Sequence, residues 1–427
     1  MSIEKDIPEL VEANIITEET ATRIRNYYAG KGGLSQNKLL VVFGILGATL
    51  VGLGLILIIA HNWDELSRSL KTLFSFLPLI TGQILCGFTL LKKHDSVAWR
   101  ESTSAFLFCA VGASISLVSQ VYNIPGNLSG FLFTWMLLCL PLVYVMRSSV
   151  ASILYLTGIT YYGCETGYWT YRGGNTYYYW LLLLLILPHY YLLYRNKPRS
   201  NFAVFHHWLL PLILIITLGT IAYRTEELMF VAYISLFGLF YLVGNTPSLK
   251  RQNSVSNSYL SLGSAGTVSI LLALSFDWFW NDLQRKNFIL REVATAPEFI
   301  ASVLISLLAA VVLYFQKKGK GVAEIQPMET VFILFIPIFI VGLESSFAVI
   351  LTNLLVFAIG VFTIGKGARL NHLGILNYGL IIITALVVCR FFDTDLSFIW
   401  RGLLCVAVGT GFFAANLKII KKRKLNG

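Results

Sequence analysis

Long apolar segments recur along most of the chain, and short polar stretches separate them. A membrane-spanning helix needs about 20 mainly apolar residues, with a range of about 17–25. The pattern predicts fourteen such segments, of which 150–163, 329–344 and 347–364 need not all span fully. The fourteen segments are 39–60, 70–91, 103–122, 128–146, 150–163, 176–194, 207–223, 228–244, 259–280, 298–315, 329–344, 347–364, 372–390 and 397–416.

The residues before the first apolar segment have a different pattern. Residues 1–38 are mostly polar and predict two short helices, of which the first is amphipathic and the second can be capped by Thr17. The predicted fold is therefore all-α, a polytopic transmembrane helix bundle with about fourteen spans and a short N-terminal helical pair. Its parts are a cytoplasmic helical hairpin at 1–38, a transmembrane helical domain at 39–416 and a basic cytoplasmic tail at 417–427.

Composition and charge support a membrane setting. The chain is 56% hydrophobic and 13% charged, whereas soluble domains have about 25% charged residues. The net charge is +11, but the basic residues lie in short clusters between apolar segments rather than in a stripe interleaved with aromatic residues, so nucleic acid is not predicted as a partner. Most of the 33 Lys and Arg residues fall on the side of the N-terminus, which predicts cytoplasmic termini and an even number of spans.

Motifs for catalysis, metals and cofactors are missing from the sequence. The 6 cysteines are scattered singly, no Cys-x-x-Cys occurs, and the 6 histidines are dispersed without a His-Glu-x-x-His motif. Gly319-Lys320-Gly321 lacks the spacing of a phosphate-binding loop. The sequence therefore predicts no catalytic residue, no metal site and no cofactor, and it leaves enzymatic activity open while favouring its absence.

Polar side chains near the outer ends of the predicted spans are the candidate site. Polar groups are costly inside a bilayer unless they have partners, so they mark structural pairs or functional sites. Two interpretations stay open: interhelical salt bridges and helix-end caps, or an outward-facing polar cavity that binds an anion or a lipid head group through Arg390 and Arg401. The candidate residues are His61, Asn62, Trp63, Asp64, Glu65, Gln120, Tyr122, Glu344, Arg390, Asp393 and Arg401.

Three stretches resemble a bacterial family of predicted membrane proteins, the domain-of-unknown-function 2157 family. They are Leu10 to Thr17, the apolar helix from Gly52 that runs into Ala60-His61-Asn62-Trp63-Asp64, and Gly112 to Pro125. The ending, with Arg390-Phe391-Phe392-Asp393, Arg401-Gly402 and a basic tail, is also similar. The resemblance implies a multi-pass protein of the bacterial inner (cytoplasmic) membrane, and it implies no reaction.

Three functions follow from these observations. The first is a transporter or flippase for a small anionic or lipid-linked substrate at an outward-facing polar site. The second is a membrane scaffold or assembly factor, in which the N-terminal helices bind a cytoplasmic protein partner. The third is a membrane enzyme that acts on a lipid-linked substrate at the outer face. The lipid bilayer is the partner that all three share, and transport is the leading hypothesis.

Overall fold

The described part of the chain is helical. A computed structural model describes residues 3–13, 15–24, 63–169, 176–198, 200–250, 257–286, 290–318 and 326–392, with short stretches between 397 and 413, and it contains no strand among them. The chain divides into two compact units, Met1–Leu77 and Pro78–Gly427.

The first unit contains the predicted N-terminal helices. Helix α1 spans Ile3–Glu12 and residues 18–24 are helical. The Thr17 hydroxyl accepts a hydrogen bond from the Thr20 amide at 3.4 Å, as expected for a residue that caps the second helix. The first predicted span, 39–60, lies outside the described residues.

Between residues 68 and 391 of the described chain lie fourteen helices of six or more residues, and a single helical turn, Pro247–Lys250, lies between α8 and α9. Helix α2 begins in the first unit and continues into the second. The bounds are α2 Arg68–Lys92, α3 Val97–Tyr122, α4 Leu128–Met146, α5 Ser149–Cys164, α6 Tyr177–Asn196, α7 Asn201–Leu218, α8 Met229–Gly244, α9 Ser258–Ala273, α10 Asp277–Gln284, α11 Leu290–Thr295, α12 Pro297–Lys317, α13 Pro327–Gly342, α14 Phe347–Arg369 and α15 Leu373–Phe391.

Eight helices in the described residues are long and apolar enough to cross a membrane, or nine if α9 and α10 form one bent span. Of the three short predicted segments, the one at 347–364 is a helix of 23 residues. Helices α5 and α13 have 16 residues each, and a π-helical turn, Glu165–Trp169, extends α5. The chain is thus a membrane protein with several apolar helices, while the count of fourteen spans stays a prediction.

The helices of the second unit pack around two main cores. Helices α3 to α7 surround buried side chains such as Met136 and Tyr155. Helices α8, α9 and α12 to α15 surround another set that includes Trp280 and Phe335. Helices α8 and α9 approach so closely that a Cβ atom at Gly263 would lie 2.5 Å from the backbone nitrogen of Tyr241. This is the close backbone contact that small residues permit between membrane helices.

Candidate functional site

The first part of the predicted outer cluster lies in the first unit. Trp63–Glu65 form one turn of 3-10 helix, Glu65 is exposed, and the Lys71 ammonium lies 6.0 Å from the centre of the Trp63 ring. His61 and Asn62 lie outside the described residues, as does the Asp64 side chain. The described geometry is that of a short connection into α2.

The remaining predicted residues lie on separate parts of the second unit. Gln120 and Tyr122 are exposed at the end of α3, which packs with α4 and α5. Glu344 is exposed in the turn after α13, and Arg390 is half-buried near the end of α15, which packs with α14 and α9. Two further predicted residues, Asp393 and Arg401, lie outside the described residues. The part of the cluster that can be placed therefore belongs to different helix groups.

A break in a membrane helix lies close to Arg390. Helices α9 and α10 are bent by 70° at residues 274–276, which connect the two helices. The Trp280 indole donates to the Leu274 carbonyl at 2.7 Å, and the Asn353 amide of α14 donates to the Ser275 carbonyl at 3.0 Å. Irregular backbone at membrane depth needs such partners, since lipid offers none.

Arg390 binds this break from α15. One guanidinium nitrogen, Nη2, donates to the Ser275 hydroxyl oxygen at 3.1 Å, and the guanidinium carbon lies 4.5 Å from the centre of the Phe276 ring. A cation over an aromatic ring is attracted to the ring face. The arrangement brings the Arg390 guanidinium to the connection between α9 and α10.

A buried carboxylate, Glu101 of α3, joins α3 to the start of α5. One oxygen accepts from the Ser148 hydroxyl at 2.5 Å and from the Val150 amide at 2.8 Å, and the other accepts from the Ser149 amide at 3.2 Å. Amides at a helix start have no partner within the helix. Glu101 thus caps a neighbouring helix with both of its oxygens.

A second buried carboxylate, Glu298 of α12, binds the turn before α8. Its Oε1 atom accepts from three consecutive amides, those of Tyr223, of Arg224 at 2.5 Å and of Thr225 at 3.1 Å. Among the described residues its Oε2 atom has no hydrogen-bond partner, although Glu298 is 0% exposed. Glu298 therefore holds the non-helical stretch before α8 through one oxygen only.

An ion pair lies beside this turn. Lys286, between α10 and α11, donates to the Oε1 atom of Glu227. This hydrogen bond to a carboxylate raises the pKa of the Lys286 ammonium above its ordinary value. The turn before α8 is thus connected to two other parts of the chain, the start of α12 and the segment after α10.

Three buried histidines form another polar cluster, on α6 and α7. His206 bonds the Phe202 carbonyl at 2.7 Å and the Ser152 hydroxyl at 2.9 Å, one with each ring nitrogen. The Tyr190 hydroxyl lies 2.7 Å from Nδ1 of His207 and 3.0 Å from the Tyr259 hydroxyl. This network connects α5, α6, α7 and α9.

Metal binding finds no support in the described part of the chain, which contains no group of three His, Cys, Asp or Glu side chains that could hold a metal ion. The predicted absence of a metal site rests on the sequence. Glu101, Glu298 and the histidine cluster were not among the predicted site residues. A carboxylate in the first turns of an apolar helix is the signal that identifies the first two, and adjacent histidines at 206 and 207 are the signal for the third.

Residues 8–152 match the family model described as "Predicted membrane protein (DUF2157)". The match confirms the resemblance to this family for the first third of the chain, which includes the His61 to Asp64 stretch. Arg390, Asp393 and Arg401 lie beyond the matched residues. Comparison with curated proteins and comparison with solved structures found no match. The family description gives membrane residence and no activity.

Proposed function

We propose that the protein is a transporter or flippase of the bacterial inner membrane, with about fourteen spans and both termini in the cytoplasm. Its substrate is a small anionic or lipid-linked compound, which it binds at an outward-facing site beside Arg390. The break between α9 and α10, with Arg390 bound to it, is the observation that carries the proposal.

Discontinuous spans favour this function over a rigid bundle. Many transporters bind substrates where a helix is interrupted near the membrane interior, because the interruption presents backbone polar groups and helix ends. Here the interruption also has side-chain support from Asn353 and Trp280. A guanidinium at such a place can bind a carboxylate or phosphate through several parallel hydrogen bonds.

Reconstitution of the full chain into liposomes tests the proposal with two probes. Dithionite quenching of a fluorescent phosphatidylglycerol measures head-group movement, and uptake of radiolabelled inorganic phosphate measures movement of a free anion. We expect one of the two rates to exceed that of protein-free liposomes. Arg390→Gln should lower that rate about tenfold or more, since it removes a charged hydrogen-bond donor.

Arg291→Gln is the matched control, because Arg291 is an exposed arginine outside the break. Its rate should equal that of the unmodified protein. Equal rates for Arg390→Gln and Arg291→Gln, with both proteins monodisperse, would contradict the site. Rates equal to those of protein-free liposomes with both probes would contradict transport of either class.

A scaffold is the second candidate. Buried charges in the second unit are used in part to hold helices together, as Glu101 does between α3 and α5. Glu329 of α13 similarly pairs with Lys317 of α12 at 2.7 Å. In a scaffold, Arg390 serves the same purpose at the helix break, and its replacement lowers stability without changing any transport rate.

A further inference from the structure

Three buried oxygen atoms near the start of α8 have no hydrogen-bond partner in the part of the chain that the structure describes. They are Thr225 Oγ1, Glu227 Oε2 and Glu298 Oε2. Thr225 is 8% exposed and Glu298 is 0% exposed, so bulk water does not reach these groups. A buried oxygen acceptor without a donor is costly, and the cost is larger for a carboxylate.

The fold brings two of these groups to one turn. Glu298 Oε1 accepts from the Thr225 amide at 3.1 Å, which places the carboxylate of α12 against the residue that carries the unpaired hydroxyl. The amides of residues 223 and 224 hold the same oxygen. Because Oε1 is fixed by three amides, Oε2 is left available for another ligand.

The backbone around this turn also suits a cation. Helix α7 ends in a 3-10 turn, Gly219–Ile221, and residues 222–225 are not helical before the turn Glu226–Leu228. The carboxyl end of a helix carries partial negative charge. Unwound carbonyls beside carboxylates and hydroxyls form the all-oxygen surroundings that hard cations prefer.

The net charge of the oxygen ligands indicates whether the site favours a monovalent or a divalent cation. Glu298 is partly compensated by three amide dipoles, and Glu227 is paired with Lys286 through its other oxygen. The net charge left for a ligand is small, and this favours a monovalent ion over a divalent one. We propose that Glu298 Oε2, Glu227 Oε2 and Thr225 Oγ1 bind a monovalent hard cation, with sodium as the test ion. Binding at this turn does not require the proposed transport function.

Binding of radioactive sodium to the purified full-length protein in detergent tests the site, with scintillation proximity as the readout. We expect saturable binding that lithium competes with more strongly than potassium. Glu298→Gln and Thr225→Val should each weaken binding about tenfold or more, because each removes one oxygen ligand. Thr225→Val keeps the side-chain shape, so it provides a test if Glu298→Gln folds poorly.

Glu101→Gln is the matched control, since Glu101 is also a buried carboxylate that accepts backbone amides and both of its oxygens already have donors. It should bind sodium as the unmodified protein does. Arg390→Gln should also keep sodium binding, so a failure of the transport proposal and a failure of this one are distinguishable. Sodium should raise the melting temperature by about 2 °C over choline at equal ionic strength, and Thr225→Val should lose this increase.

Three results would overturn the site. One is the absence of saturable sodium binding to a monodisperse protein. Another is an equal loss of binding in Glu101→Gln and Glu298→Gln, which would make the effect a general result of destabilisation. The third is displacement of sodium by calcium at a much lower concentration than by lithium, which would contradict a monovalent site.

Discussion

Glu101 and Glu298 both accept hydrogen bonds from backbone amides, but they differ in how many of their oxygen atoms have donors. Each is a buried carboxylate in the first turns of one helix, and each accepts backbone amides from another part of the chain: Glu101 from the start of α5, and Glu298 from the non-helical stretch before α8. Glu101 uses both oxygens and has a serine hydroxyl as a third donor. In Glu298 one oxygen, Oε1, accepts all the described hydrogen bonds, and Oε2 accepts none. The two carboxylates therefore have similar backbone partners, but only Glu298 has an oxygen left for a further ligand.

The largest expected effect comes from removing either carboxylate. Glu101→Ala and Glu298→Ala each leave buried amides without an acceptor, so each should lower the free energy of unfolding by about 3 kcal/mol or more. Thermal and detergent-induced unfolding measure the change. Glu344→Ala, at an exposed carboxylate, is the control and should change it little. If either variant lowers the free energy of unfolding by less than about 1 kcal/mol, the role of that carboxylate as an acceptor for buried amides is contradicted.

Glutamine substitutions should separate the two sites. In Glu298→Gln the amide oxygen can still accept the three amides, whereas in Glu101→Gln the new NH₂ group must face a donor. We expect Glu101→Gln to be more destabilising than Glu298→Gln by about 1–3 kcal/mol, the usual cost of a donor without an acceptor. The same unfolding assay measures this in sodium-free buffer. A reversed order would mean that the oxygens of Glu298 are both engaged.

Smaller changes should follow from the neighbouring hydroxyls. Ser148 donates to Glu101 and accepts from the Ala151 amide at 3.1 Å, so Ser148→Ala should cost about 1–2 kcal/mol. The Thr225 hydroxyl has no partner among the described residues, so Thr225→Val should cost almost nothing without sodium. Unfolding midpoints of the two variants, measured side by side, test the contrast, and equal losses would contradict it.

The smallest effect is expected at the Lys286–Glu227 ion pair, because Lys286 is 54% exposed. The pKa of Lys286 is raised from 10.5, so its stabilisation is complete below pH 10.5 and is lost as pH rises through the higher value in the folded protein. The contribution should be below about 1 kcal/mol. Melting temperatures at about pH 9 and about pH 11.5 should differ more in the unmodified protein than in Glu227→Gln. An equal difference would show that the pair is not stabilising.

The apolar pattern predicted most helices because hydrophobic length alone determines them. The segment at 128–146 has the bounds of α4, Leu128–Met146, since Asn127 caps its start and Arg147 ends it with a φ of 48°. The break at residues 274–276 was not predicted, because the segment at 259–280 contains no proline and Asp277 is its only charged residue. Two of the side chains that contact the break, Asn353 of α14 and Arg390 of α15, lie 78 and 115 positions from Ser275, so the local sequence does not show them.

The site was less accessible to prediction than the fold. Arg390 was predicted from its place near a span end, but its contact with Ser275 joins residues that are 115 positions apart. Glu101 and Glu298 received no prediction because their amide partners lie 48 or more positions away. Such pairs form only through helix packing, and one sequence does not show which helices pack together.

The positions of the two carboxylates along the chain have a consequence for biosynthesis. A chain inserts from its N-terminus, so Glu101 is already present when Ser149 and Val150 enter the membrane. Glu298 is made after Thr225, so the amides of residues 223–225 acquire this acceptor only when α12 has been made. At α5 the acceptor is thus made before its donors, and before α8 it is made after them. A ribosome that stalls between α8 and α12 leaves the amides of residues 223–225 without this acceptor.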